Sequence, residues 1–249
     1  MYFCVTIYQV LETMFRILLF LCLMLLCWQQ LPAQDSLRRI TDRHADEYMG
    51  AVSNFATLYT GNRQLPLGMV TQNHQYFKDE GYTKGRLSYC GIVYPDILLR
   101  WDLYRDELVM FSPANYNIVL INENLDFAEI YGYHIFNFHP DGLPGCPAAG
   151  NYILLYSGAY LLLEKFNVNL YRKEENNTIN YYFSHSTNFY LQKDGAYFKI
   201  KNRRTLLKTL DTNRKELRRL IRANEYRYRR NAEQMVLGVV REHEKLSRL

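Results

Sequence analysis

His134, His139 and Asp141 are the nearest approach of this sequence to a metal-ligand set, and Asp102, Asp106 and Glu107 its densest group of carboxylates. Zinc hydrolysis asks for two histidines four apart on a helix with a glutamate between them. The five-residue spacing of His134 and His139 instead sends them to opposite faces of a strand, so with Asp141 they meet only where that strand ends. Glycoside hydrolysis asks for two carboxylates roughly 5 to 10 Å apart. Asp96 and Asp102 share a strand face but lie about 20 Å apart at the usual rise, and Asp102, Asp106 and Glu107 read as a charged, solvated turn. Beyond residue 34 only Cys90 and Cys146 remain of the five cysteines. Neither has a neighbouring histidine to activate it, and no CxxC is present. In an oxidising compartment the two could pair, and the sequence leaves that open. There is no Gly-x-Ser-x-Gly and no glycine-rich phosphate loop. The residues thus point to a protein that is not an enzyme, with no catalytic residue, metal site or cofactor.

Binding chemistry is better represented. The chain holds 22 Tyr, 13 Phe and 2 Trp, amphipathic rings that serve sugar stacking and protein interfaces as well as cross-strand packing. Packing takes most of them. Trp101, Tyr131, Tyr133, Tyr181 and Tyr182 are the candidates for an exposed binding surface, because runs such as Tyr181-Tyr182 present both faces of a strand. Charge adds a second candidate. Gln34 to Phe198 carries 13 Lys or Arg against 18 Asp or Glu, whereas Lys199 to Arg230 carries 13 against 3. Arg214, Arg218 and Arg222 are the candidate binding residues of this basic arm. It reads as a solvated helical face, as a surface docked on the acidic body, or as a contact for anionic lipid head groups or envelope polysaccharide.

Compartment narrows the partners. Arg16 precedes an apolar run from Ile17 to Trp28, and Leu31-Pro32-Ala33 offers a small residue before Gln34, the pattern of a signal peptide over residues 1–33. Met14 is an alternative start. The run is short for a retained membrane anchor, which needs roughly 20 residues. Cys22 and Cys27 each follow Leu, which disfavours lipidation. Export to the periplasm or outer envelope removes nucleic acids and nucleotide cofactors as partners and leaves an envelope protein, or an envelope lipid or polysaccharide.

The elements that would carry these residues follow from periodicity. Ile97, Leu99, Trp101 and Leu103 alternate with Leu98, Arg100, Asp102 and Tyr104, as a half-buried strand requires. Tyr160, Leu162, Phe166, Val168 and Leu170 repeat the pattern, with Glu164 the exception. Further strands are expected at 86–90, 108–112, 117–121, 126–131, 133–138, 152–156, 178–183, 189–192 and 197–200. Short turns at Arg105-Asp106, Gly132, Ser157-Gly158, 173–177 and Asp194-Gly195 favour antiparallel neighbours. Gly142 to Gly150, with Pro144 and Pro147, is the expected junction between two sheet layers. Tyr48, Val52, Phe55 and Tyr59 predict an N-terminal helix capped at Thr41 or Asp42. Leu206, Leu207, Leu210, Leu217, Leu220 and Ile221, then Met235, Val236, Val239 and Val240, predict C-terminal helices docked on the sheet.

The phrases Gly85 to Tyr94, Leu99 to Val109, Tyr152 to Gly158 and Tyr190 to Tyr197, with the Leu- and Lys/Arg-rich ending, resemble a family of uncharacterised secreted proteins of Gram-negative anaerobes. The likeness runs from about Tyr48 to Leu246, implies export and the same fold, and transfers no site residue. The sequence therefore predicts an α+β protein: a signal peptide over 1–33, an antiparallel β-meander with an N-terminal helix over 34–200, and a basic helical segment over 201–249. The meander would be a curved sheet or partly closed barrel. The function expected is a non-enzymatic, envelope-associated binding or scaffold module. The alternative is a periplasmic carrier enclosing a lipid or other hydrophobic ligand within the curved sheet.

Overall fold

In the computed structural model, residues 56–175 and 177–248 are described. Among the described residues eleven strands, two of them only two or three residues long, run in chain order: β1 (Asn62–Arg63), β2 (Thr83–Tyr89), β3 (Ile92–Asp102), β4 (Glu107–Phe111), β5 (Asn117–Val119), β6 (Leu125–Ile130), β7 (Tyr133–Phe138), β8 (Gly150–Ser157), β9 (Leu161–Glu175), β10 (Thr178–Lys193) and β11 (Ala196–Ile200). Three helices follow: α1 (Arg203–Leu210), α2 (Arg214–Ala223) and α3 (Ala232–Ser247). The described chain is mainly β, with helices at its C-terminal end. The signal peptide and the N-terminal helix, Tyr59 apart, fall outside the described residues.

All strands join one antiparallel sheet in the order β1-β5-β4-β3-β2-β6-β7-β8-β9-β10-β11. The turn signals explain its meander. Tyr131-Gly132 and Asp194-Gly195 both hold positive φ at each residue, the backbone that matches the twist of a two-residue hairpin and that glycine adopts without strain. The expected strands over 178–183 and 189–192 are one 16-residue strand, β10, because Ser184 to Asn188 continue to pair with β9. Polar residues there mark an exposed stretch of strand, not a break.

The sheet is strongly curved but not closed, with β1 and β11 as its edges. A strap over residues 71–77 spans the bend. At one end Phe77 N donates to Trp101 O at 3.0 Å and Gln75 O accepts from Leu103 N at 3.0 Å, on the β3 side. At the other, Gln72 N donates to Tyr181 O at 2.9 Å, and the Asn73 amide both accepts from Phe183 N at 2.7 Å and donates to Phe183 O at 2.8 Å, on β10. Three of these bonds are backbone to backbone and two use the Asn73 side chain, and together they tie β3 to β10 across the concave face. The strap and the concave face share one core, in which Phe77 packs 5.5 Å from Trp101 and 5.2 Å from Phe166, ring centre to ring centre.

Further along the same face the helices take over. Leu162, Phe189, Leu191 and Ile200 meet Leu206, Leu210, Leu217, Ile221 and the Met235, Val236, Val239, Val240 stripe. Polar contacts fix α3: His243 Nδ1 lies 3.0 Å from Tyr160 Oη, its Nε2 lies 2.8 Å from Thr212 Oγ1, and Glu244 accepts from Tyr156 Oη and Ala159 N. Glu164 falls on β9 between Leu162, which faces the helices, and Phe166, which faces the strands. The one break in the β9 pattern is thus a carboxyl 3% exposed at the boundary of two cores.

The opposite face is smaller. Residues 139–149 do not join two sheet layers; they form a flap on the β7–β8 connection that covers Phe138, Tyr152, Leu163 and Tyr197. Tyr197 N donates to Pro144 O at 2.8 Å and Tyr152 Oη to Ala148 O at 2.8 Å. Gly and Pro set the turns of this flap, and the same residues look like an interlayer junction in sequence.

Candidate functional site

The basic segment forms a groove because its apolar residues are spoken for. Asn202 caps α1 through a reciprocal box, its Oδ1 accepting from Thr205 N at 2.9 Å while Thr205 Oγ1 accepts from Asn202 N at 3.0 Å. That start angle buries Leu206, Leu207 and Leu210. Asp211 and Asn213 then adopt left-handed backbone, with φ of 61° and 53°, and reverse the chain so that α2 returns beside α1. Leu217 and Ile221 bury on α2. Arg214, Arg218 and Arg222 recur every four residues and so share one face.

Between these helices lies a groove of about 560 Å³, lined by Arg203, Arg204, Lys208, Arg214, Arg218 and Arg222 with Leu207. Six cations and no carboxylate line it. Asp211, just outside, pairs with Arg214. Among the described residues, none of the other five cations is in an ion pair. A second cleft of about 630 Å³ adjoins the groove, sharing Lys208 and Arg214 and adding Lys193, Lys199, Thr209 and Phe198. Such a surface can bind multivalent anions, since bidentate guanidinium contacts to carboxylate or phosphate are strong and directional.

The aromatic candidates are not gathered here. Trp101 is 1% exposed in the concave core, so it packs the sheet and presents nothing to a partner; burial on the inner face of β3 follows from its alternation with Arg100. Tyr131 sits in the β6–β7 turn, exposed. Tyr133 is half-buried and its hydroxyl lies 3.1 Å from both Lys78 Nζ and Glu233 Oε2. Tyr181 and Tyr182 lie near the β9–β10 tip, where Tyr182 stacks on Tyr171 and donates to Glu175. Two separate ends of the sheet carry these rings. Arg203, Arg204 and Lys208, which complete the groove, lay within the basic count but were not singled out by spacing; their signal is that each alternates with the buried Leu206, Leu207 and Leu210.

The carboxylate and histidine clusters have structural occupations. Asp102 is fully buried; its Oδ1 accepts from Tyr104 N at 3.1 Å and Arg105 N at 3.0 Å, and its Oδ2 from Gln64 and Gln75 at 3.3 Å each. It shapes the β3–β4 turn. Asp106 holds that turn against β8 and β9, accepting from Lys165 Nζ at 2.5 Å and Asn151 N at 3.0 Å. Burial raises the Glu107 carboxyl above its ordinary range. His134 stacks on Phe127 and lies 3.6 Å from Glu129, and Asp141 accepts from Leu143 N and Tyr197 Oη within the flap. Among the described residues no three His, Cys, Asp or Glu side chains group closely enough for a metal. Cys90 and Cys146 are free thiols, and no described helix is long and apolar enough to cross a membrane.

A second carboxyl constellation escaped sequence spacing altogether. Glu164 has one oxygen buried without a hydrogen-bond partner. Burial, then the charge of Glu233, push its pKa up to about 8, against the opposing pull of Lys78. Residues 78, 164 and 233 are too distant in sequence for any local pattern to join them. Compared with known proteins, the chain matches no family model, no curated protein and no solved structure.

Proposed function

We propose that the protein is an exported, non-enzymatic binding module of the cell envelope that captures a polyanionic envelope component in the groove between α1 and α2. The carrying observation is the lining of that groove: six cations, no carboxylate, and one neighbouring acid for all of them. A merely solvated helical face would intersperse signs, as α3 does, where Lys245 pairs with Glu242 and Glu244 with Arg248. The apolar run over 17–28 supports export, and export favours envelope polymers over nucleic acids. The core of the curved sheet is filled by Phe77, Trp101, Phe166 and their aliphatic neighbours, which favours this reading over the hydrophobic carrier.

The test is binding of the full chain to a fluorescent inorganic polyphosphate as the salt concentration is raised. Binding should weaken steeply with salt, and the combined Arg214→Gln, Arg218→Gln, Arg222→Gln variant should flatten the logarithmic slope by about 3, roughly one per contact removed. Equal slopes for the two proteins would remove the groove from the reading.

A further inference from the structure

Resting on the polyanion reading, we infer that the ligand is an acidic polysaccharide, whose charged groups enter the α1–α2 groove while a sugar ring stacks on Phe198 in the adjoining cleft. Two features of the paired concavities carry this. First, the charge is periodic. Arg214, Arg218 and Arg222 stand four residues apart, about 6 Å of helix rise per step, so they meet a polymer that repeats an acidic group once per sugar ring along an extended chain. Asp211 holds Arg214, the member nearest the second cleft, leaving the outer two to take carboxylates or phosphates unaided.

Second, the charge ends against an aromatic wall. Phe198 lies on the edge strand β11 and is 40% exposed, while its neighbour Tyr197 turns to the other side under the flap. Lys208 and Arg214 line both concavities, so the groove opens into the cleft that Phe198 lines. Thr209, also in the cleft, offers a hydroxyl, while Lys199 shares Tyr197's side of β11 and reaches over the Tyr190 ring. A bare phosphate polymer has no apolar face to use there, and a flat lipid surface cannot enter a groove bounded by two helices. A sugar has both an apolar ring face and peripheral oxygens, which suits an exposed aromatic edged by polar groups.

The test compares four probes on the full chain: a polygalacturonate oligosaccharide, polyphosphate of matched charge, neutral dextran, and phosphatidylglycerol vesicles. Polygalacturonate should bind more tightly than polyphosphate and dextran should not bind. Phe198→Ala should weaken polygalacturonate about three- to ten-fold and leave polyphosphate unchanged, while Phe198→Tyr restores wild-type binding and guards against a folding defect. Equal binding of the two polyanions, with Phe198→Ala affecting neither, overturns the saccharide inference and leaves the polyanion reading standing. Failure of both polyanions to bind overturns the two together. Vesicles that displace polygalacturonate, and lose that ability in the triple Arg→Gln variant, would assign the groove to a lipid surface instead.

Discussion

Glu164→Gln should make the protein more stable at alkaline pH, and the size of the gain follows from where the carboxyl lies. Its ordinary pKa of 4.5 rises to about 8 in the folded chain, so between those values the native state binds one proton that the unfolded state has released. Stability must then fall as pH rises through this window, by about 1.4 kcal/mol per unit, to a total of up to about 5 kcal/mol above pH 8. Glutamine matches the shape of the protonated acid and has no charge to lose. The variant and wild type should therefore lie within about 1 kcal/mol at pH 5 and diverge by several kcal/mol at pH 9. Urea unfolding followed by fluorescence of the buried Trp101 at half-unit pH steps reads this directly, and every other titrating group cancels in the difference. Glu233→Gln should move the divergence to lower pH and Lys78→Met to higher pH, since Glu233 raises the Glu164 pKa and Lys78 lowers it. Parallel curves for wild type and Glu164→Gln would refute the assignment of a neutral buried acid.

Two further outcomes follow from other buried groups. Burial holds the His243 pKa below its ordinary 6.5, so the native state keeps the imidazole neutral and stability is lost as pH falls below about 6.5; His243→Gln should reduce that loss in acid urea titrations. Asp106→Asn should cost about 1 to 3 kcal/mol by leaving the Lys165 ammonium, 14% exposed, without its carboxylate, and Asp106→Asn with Lys165→Met should recover part of it in a double-mutant cycle.

Local signals in the sequence carry through to local structure. The β3 alternation, the Tyr131-Gly132 and Asp194-Gly195 turns and the leucine stripe of the helices all stand as their spacing implies. What the residues do not reveal is long-range. The strap is irregular chain whose identity depends on side-chain bonds to strands on the two sides of the bend, and Asn73 to Phe183 spans 110 residues. For the same reason Asp102 looks like part of a solvated turn, although Gln64 and Gln75 close over it. Trp101 looks available for binding because alternation tells which side of a strand a ring occupies, not whether that side is covered. Arg214, Arg218 and Arg222 are legible because helical periodicity alone places them together; the α1 half of the groove depends on a two-residue left-handed reversal at Asp211 and Asn213 that composition does not announce.

The distribution of charge on the three helices is what favours the proposed binding surface over a solubility device. Both would be basic on a mildly acidic body, but solubility needs only net charge, and mutual repulsion makes crowding it in one groove unfavourable. α3 carries Arg241 and Lys245 against Glu233, Glu242 and Glu244, and Lys245 pairs with Glu242 along its own surface. Between Arg203 and Ala223 the chain places eight basic residues against Asp211 and Glu216, and six of the eight converge on one concavity. Folding gains nothing from that convergence, since Leu206, Leu210, Leu217 and Ile221 would bury equally well beneath alternating signs. On the proposed reading a polyanion entering the groove would relieve that repulsion, so neutralising the groove with the triple Arg→Gln variant should raise the urea midpoint of the free protein while abolishing its binding to polyphosphate.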